Sequence, residues 1–174
     1  MRSIEPIAKL DLAFSLFCLQ HRFRYPVSRL SKAVSHTGDG HLYLILGLCA
    51  WWLDGSKGEL FLWVGLLAFS IELPIYWLTK NIFKRRRPQE LSDLVTSFVT
   101  PSDRYSLPSG HTAAAFLMAS LMAYFYPQLA VFSFAWASLI GSSRILLGVH
   151  FLTDVVLGSL LGVACAHLAM AIML

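Results

Sequence analysis

The sequence predicts an all-α polytopic membrane bundle of about five transmembrane helices, preceded by N-terminal interfacial amphipathic helices. Two observations carry this prediction. Hydrophobic residues make up 56% of the chain and charged residues 14%, with a mean hydropathy of +0.61. A soluble domain carries about 25% charged residues to keep its surface in water, so lipid must cover much of this one. The apolar residues also fall in long runs, separated by Asp-Gly, proline and short clusters of charge, which is the pattern of successive membrane crossings.

Residues 4–20 space Ile7, Leu10, Phe14 and Phe17 as one helical stripe, but Lys9 and Asp11 interrupt the run. The segment is too short and too polar to span and is expected to lie in the membrane interface. A second short helix over about 26–35, with Arg29 and Lys32, is expected to behave likewise. The first span runs from about 40 to 53, followed by a turn at Asp54-Gly55. The second runs from about 60 to 83 and bends at Pro74, which removes a backbone donor and clashes with the preceding turn. The third covers about 110–126 and ends at Pro127; the fourth and fifth cover about 129–147 and 150–174. A hydrocarbon core of roughly 30 Å needs roughly 20 helical residues. The first and third spans are shorter than that, and Trp51, Trp52, Tyr124, Phe125 and Tyr126 supply an aromatic belt at their ends. The 174 residues read as one domain, 1–36 interfacial and 40–174 the bundle that holds the site.

Several function classes drop out. The net charge is +4, but the basic residues sit in short clusters between apolar runs without a nucleic-acid motif, so no nucleic-acid partner is expected. Cys18, Cys49 and Cys165 are odd in number, lack metal-ligand spacing and lie in apolar runs. They read as small buried hydrophobes, with no disulfide framework and no metal site. A cleavable leader is not expected, because Asp11 interrupts the only early apolar stretch and no small-residue cleavage site follows it.

Counting crossings brings the end of span two, the start of three, the end of four and the start of five to one membrane face. Lys80, Arg87, Ser109, His111, Arg144, His150 and Asp154 fall there. Lys80 and Arg87 are seven residues apart; in a continuing helix they point the same way and form an anion clamp. Lys84, Arg85 and Arg86 read as a solvated basic cap beyond the span. Pro108-Ser109-Gly110-His111 opens an apolar helix whose first amides favour phosphate, with Ser109 as its cap. His150 and Asp154 are four apart; a carboxylate there fixes one imidazole tautomer and makes the other nitrogen a better nucleophile.

These three segments, Lys-x6-Arg-Pro, Pro-Ser-Gly-His and Ser-Arg-x5-His-x3-Asp over about residues 80–154, resemble the signature of the type 2 phosphatidic acid phosphatase superfamily, which also holds soluble acid phosphatases and vanadium haloperoxidases. Residues 35–40, Ser-His-Thr-Gly-Asp-Gly, are similar to a stretch in short bacterial members. The resemblance implies His150 as a nucleophile that forms a phosphohistidine, oriented by Asp154, and His111 as general acid and later base. It implies Lys80, Arg87, Ser109, Gly110 and Arg144 as the phosphoryl-binding set. It calls for no metal and no cofactor, since fixed cations stabilise the charge that magnesium stabilises elsewhere.

The expected substrate is a lipid phosphate reached from the surrounding membrane lipids: phosphatidylglycerophosphate, phosphatidate, undecaprenyl pyrophosphate or phosphorylated lipid A. Phosphotransfer from the same phosphohistidine is the alternative enzymatic reading, and a non-enzymatic membrane scaffold a third; no obligate protein partner is inferred. The expected location is the bacterial inner membrane, with the side of the site open. The long 88–108 loop is expected to cover a headgroup. Asp103 and Arg104 within it read as solvated, Glu72 as an inward-facing residue bonded to another helix or bracing the site, and His167 as a neutral packing residue. His21, His36 and His41 lack a motif.

Overall fold

The computed structural model of the protein describes residues 5–20 and 22–174, and among them all regular structure is helical. His21 lies outside the described residues. The helices are α1 (Glu5–Leu19), α2 (Arg24–His36), α3 (Gly40–Phe83), α4 (Pro88–Leu91), α5 (Gly110–Phe125), α6 (Ala130–Leu146) and α7 (Leu152–Met173); a 3-10 turn, Pro127–Leu129, precedes α6.

Within α3 the chain reverses at Gly55, whose φ of 56° and ψ of −128° are not helical. The limbs 40–54 and 56–83 pack antiparallel, because a side chain at position 58 would strike the Ala50 carbonyl and one at 47 would strike Leu62. The expected turn at Asp54-Gly55 is thus the tip of a helical hairpin. Among the described residues, three stretches are long and apolar enough to cross a membrane: Gly40–Leu91, Pro127–Leu146 and Leu152–Met173. The first contains both limbs of the hairpin, and α5 is shorter, at 16 residues. Trp52, Leu53, Trp77, Val131, Phe132 and Leu160 are all more than half exposed. Only lipid tails would solvate such a surface. The chain is an integral membrane protein.

Helix α5 is central, packed against α3, α6 and α7. It buries Leu117 and Leu121 completely, and its position among three neighbours explains why it is apolar all round. Its closest approach is to α7. A Cβ at Gly158 would lie 2.6 Å from the Ser109 carbonyl oxygen, and one at Gly162 would lie 2.0 Å from that of Ala113. Only glycine lets the two backbones meet there. The Ser109 amide also donates to the Asp154 carbonyl at 3.0 Å. These contacts hold the start of α5 beside the start of α7, which is where the signature residues lie.

The N-terminal helices dock by their polar faces. In α1, Ile7, Leu10 and Phe17 point away from the protein, while Asp11, Ser15 and Leu19 are buried against it. The apolar stripe therefore faces outward, as an interfacial helix requires. In α2, Ser28, Ser31 and Ser35 form the buried face, and the helix packs on α6. Two expectations are corrected. Of the cysteines, Cys165 alone is buried, whereas Cys49 is exposed on the outer surface. His167 is likewise exposed and does not pack into the bundle.

Candidate active site

Lys80 and Arg87 do not share a helix. Lys84 adopts a left-handed conformation (φ 46°, ψ 39°) that ends α3, and Arg87 is extended (φ −80°, ψ 159°), as the residue before a proline must be. The expected continuous helix is corrected, yet the two cations still converge. Lys80 Nζ donates to Asp103 Oδ1 at 2.8 Å and Arg87 Nη2 donates to the same oxygen at 2.6 Å. The Tyr76 hydroxyl donates to Asp103 Oδ2 at 2.6 Å. Arg87 is fixed further by Val149, whose carbonyl accepts from Nη1 at 2.6 Å, and both cations donate to the Tyr105 carbonyl. Asp103 is therefore no solvated loop residue. Burial raises its pKa, but the hydrogen bonds from Lys80 and Tyr76 and the charges of Lys80 and Arg87 outweigh this and hold it at about 2.

Arg144 is buried at the end of α6 and donates through Nη1 to the Ser35 hydroxyl at 2.6 Å. Gly148 then turns the chain with φ of 74°, and a Cβ there would lie 2.4 Å from the Thr96 carbonyl oxygen. This glycine lets the turn before α7 tuck beneath the long loop. His150 lies in that turn, two residues before α7 begins, so it is not a residue of the last span as expected. Its Nδ1 lies 3.7 Å from Asp154 Oδ2, too long for a hydrogen bond, and has no bonding partner among the described residues. Burial holds the His150 ring down at about 4; Asp154 pulls it up, and Arg144 and Arg87 push it down again. The ring is therefore neutral at neutral pH. In histidine-labelled protein the His150 resonances should titrate with a midpoint near 4. A midpoint at the ordinary 6.5 would show a solvated ring.

His111 stands on the first turn of α5, and its Nε2 pairs with Asp39 Oδ1 at 3.1 Å. Asp39 in turn pairs with His36 Nδ1 at 2.5 Å. Ser109 precedes α5 as expected, but its hydroxyl meets that of Thr112 at 2.8 Å and caps no backbone amide. Arg87, Asp103, Gly110, His111, Arg144 and His150 line one cavity of about 480 Å³ that continues between the α3 limbs and α5. Lys80 reaches it through Asp103, and Asp154 stands behind His150. Arg87 Nε, Arg144 Nε and His150 Nδ1 are buried without a partner among the described residues. The cavity mouth thus has spare donors and positive charge around a neutral imidazole.

Arg85 overturns the reading of a solvated basic cap. It donates to Asp154 Oδ1 at 2.7 Å, to Asp11 Oδ2 at 2.6 Å and to the Thr153 hydroxyl at 2.5 Å, and its guanidinium lies over the Phe151 ring. Asp154 Oδ2 accepts from the Phe151 amide at 2.8 Å. The expected bond from Glu72 to another helix is also absent among the described residues: Glu72 is 2% exposed and lines the cavity without a partner. Sequence reasoning missed Asp11, Arg85 and Asp39. Asp39 alone carried a trace, in the Ser-His-Thr-Gly-Asp-Gly stretch.

The family profile of the PAP2 superfamily matches residues 60–174. The chain belongs to that superfamily. Among its relatives is the decaprenylphosphoryl-5-phosphoribose phosphatase of Mycolicibacterium smegmatis, 34% identical over 74% of this chain and 69% of the relative. Another is the bacitracin transport permease protein BcrC of Bacillus licheniformis, 29% identical over 71% of this chain; the chain spans 62% of that relative's length. The PAP2 fold is shared with the crystal structure of LpxE from Aquifex aeolicus (TM-score 0.80, 25% identity, 93% of this chain and 95% of the other). It is shared equally with that of a transmembrane PAP2-type phosphatidylglycerolphosphate phosphatase from Bacillus subtilis (TM-score 0.78, 24% identity, 98% and 89%).

Proposed function

We propose that this PAP2 protein is a lipid phosphatase of the bacterial inner membrane that cleaves a phosphomonoester or pyrophosphate of a lipid through a phosphohistidine at His150. The observation that carries the reading is the Asp103 carboxylate. Two buried cations from separate segments grip one of its oxygens at 2.6 and 2.8 Å, at the mouth of the cavity that His150 and His111 line. A phosphoryl group carries more such oxygens and more charge, so it fits the same grip better.

In this reading the substrate phosphate displaces Asp103 and is held by Lys80, Arg87, Arg144, Ser109 and the Gly110 amide. As the ring closes the 3.7 Å gap to Asp154 Oδ2 on substrate binding, the carboxylate accepts the Nδ1 proton in a hydrogen bond, and Nε2 attacks phosphorus. The bond from phosphorus to the lipid oxygen breaks, and that oxygen takes a proton from His111. His111 then takes a proton from water, the hydroxide attacks the phosphohistidine, and inorganic phosphate leaves. Asp39 orients His111 throughout. The names of the relatives, which act on lipid-linked phosphates, support this substrate class.

The test is a panel of lipid phosphates offered to the purified protein in detergent, read by phosphate release, with labelled substrate to trap the intermediate. The expected adduct is acid-labile and alkali-stable, as a phosphoramidate is. An acid-stable adduct, or none during turnover, would rule out His150 as the nucleophile. Because Asp103 competes for the clamp, Asp103→Asn should bind inorganic phosphate about tenfold more tightly, measured as product inhibition. Weaker inhibition would mean that Asp103 holds the clamp in place and does not compete with the anion.

A further inference from the structure

The cavity carries a polar feature about one helical turn below the phosphoryl site, and nothing in the mechanism uses it. Glu72 is 2% exposed and has no hydrogen-bond or ion-pair partner among the described residues. The Tyr43 hydroxyl, on the other limb of the hairpin, is also buried without a partner. The two groups sit at adjacent levels: the Tyr43 ring stacks on Phe69 at 5.9 Å, and Phe69 lies one helical turn from Glu72. Both line the cavity that His150 and Arg87 line. Around them the walls are apolar, with Phe61, Leu62 and Met118.

Buried polar groups in a protein nearly always have hydrogen-bond partners, and an orphan calls for an explanation. An ionisable side chain at membrane depth is more costly still and marks a function by default. Two orphans on facing limbs of one cavity leave a position at which a ligand can supply the missing bonds. Glu72 lies four residues before Tyr76, whose hydroxyl donates to Asp103 at the clamp, and so about 6 Å along the helix axis from that level. The group that satisfies it is therefore on the lipid side of the phosphate.

We propose that Glu72 and Tyr43 form a subsite for a hydroxyl group carried on the lipid portion of the substrate, and that this subsite sets which lipid phosphate is preferred. The inference rests on the lipid-phosphatase reading and narrows it. A hydroxyl donates to the Glu72 carboxyl and accepts from the Tyr43 phenol, which satisfies both groups at once. A purely hydrocarbon tail, such as a polyisoprenyl chain, leaves both unbonded and binds less well. A site built to bond a hydroxyl rejects the analogue that lacks it.

The test measures binding to His150→Ala protein, so that turnover does not enter. Two lipids compete with a fluorescent lipid phosphate: a diacyl phosphatidate with a 3-hydroxytetradecanoyl chain and the same lipid with plain tetradecanoyl chains, which has no free hydroxyl. A polyprenyl phosphate is the third arm. The hydroxylated lipid should bind about tenfold more tightly than the plain one. Adding Glu72→Leu or Tyr43→Phe should reduce that ratio below about twofold while the plain lipid's affinity holds. Glu72→Met keeps the length without an acceptor and serves if the leucine variant fails to fold. Equal affinities in the parent protein, tighter binding of the polyprenyl phosphate, or a ratio that survives both substitutions would each overturn the subsite. Loss of phosphate release from the wild-type protein across the earlier panel would count against the phosphatase reading alone. If no lipid phosphate binds, both fall.

Discussion

His150→Ala should lower phosphate release by about 10⁴-fold or more while the protein remains folded and still binds phosphate. The size follows from removing the proposed nucleophile, a loss that other enzymes with activated nucleophiles also show. That the fold should survive is specific to this site. His150 Nδ1 makes no hydrogen bond among the described residues, so its removal strands no partner. Asp154 keeps its bonds from Arg85 and from the Phe151 amide. The cost is therefore that of a cavity in a turn, about 1–3 kcal/mol. The clamp is also untouched, since Lys80 and Arg87 are held by Tyr105 and Val149 carbonyls and not by the imidazole. The check is paired: phosphate release, and inorganic phosphate affinity on the same preparation. Retained turnover with retained binding would remove His150 from the chemistry.

The distribution of legible and illegible features follows from their physical range. The spans were legible because hydropathy is a local sum, and the reversal at Gly55 because Asp-Gly is a local turn signal. Lys80, Arg87, His111, Arg144, His150 and Asp154 were legible as a spaced pattern, and crossing parity alone brought them to one face. What the sequence left closed depends on single long contacts. Asp11 reaches Arg85 across 74 positions, and Asp103 reaches Lys80 across 23. A charge in a basic run or in a polar loop looks solvated until the partner's place is known. The same applies to Glu72, whose significance lies in having no partner where another helix was expected to supply one. Helical register misled in one further respect: Lys80 and Arg87 meet because the chain leaves the helix at Lys84, not because it continues.

The second large effect concerns Arg85, which ties the interfacial helix α1 to the carboxylate behind His150. Asp11 is 4% exposed, Asp154 is fully buried, and Arg85 bonds to both at 2.6 and 2.7 Å. Thr153 completes the cluster by donating its hydroxyl and amide to Asp11. Arg85→Ala removes the one cation from between two buried carboxylates, so the expected loss of stability is about 3–5 kcal/mol. Asp11→Asn leaves Arg85 paired with Asp154 and should cost less, about 1–2 kcal/mol. The catalytic consequence follows from the same geometry. Without Arg85, the Asp154 carboxylate keeps only the bond from the Phe151 amide among the described residues, and the group proposed to orient His150 is less firmly held. Turnover should fall about 10- to 100-fold, as it does when an outer residue that orients a reactive group is lost. KM should stay nearly constant, because Arg85 does not line the cavity. Arg85→Lys should recover part of the turnover but not all of it, since one ammonium cannot reproduce the guanidinium's separate bonds to Asp11 and Asp154. Adding Asp11→Leu to Arg85→Met removes one stranded carboxylate and should raise the midpoint of thermal unfolding above that of Arg85→Met alone, a coupling that a double-mutant cycle reads directly. If the two substitutions simply add, or if Arg85→Ala matches the wild type in both unfolding and turnover, α1 has no energetic link to the Asp154 carboxylate.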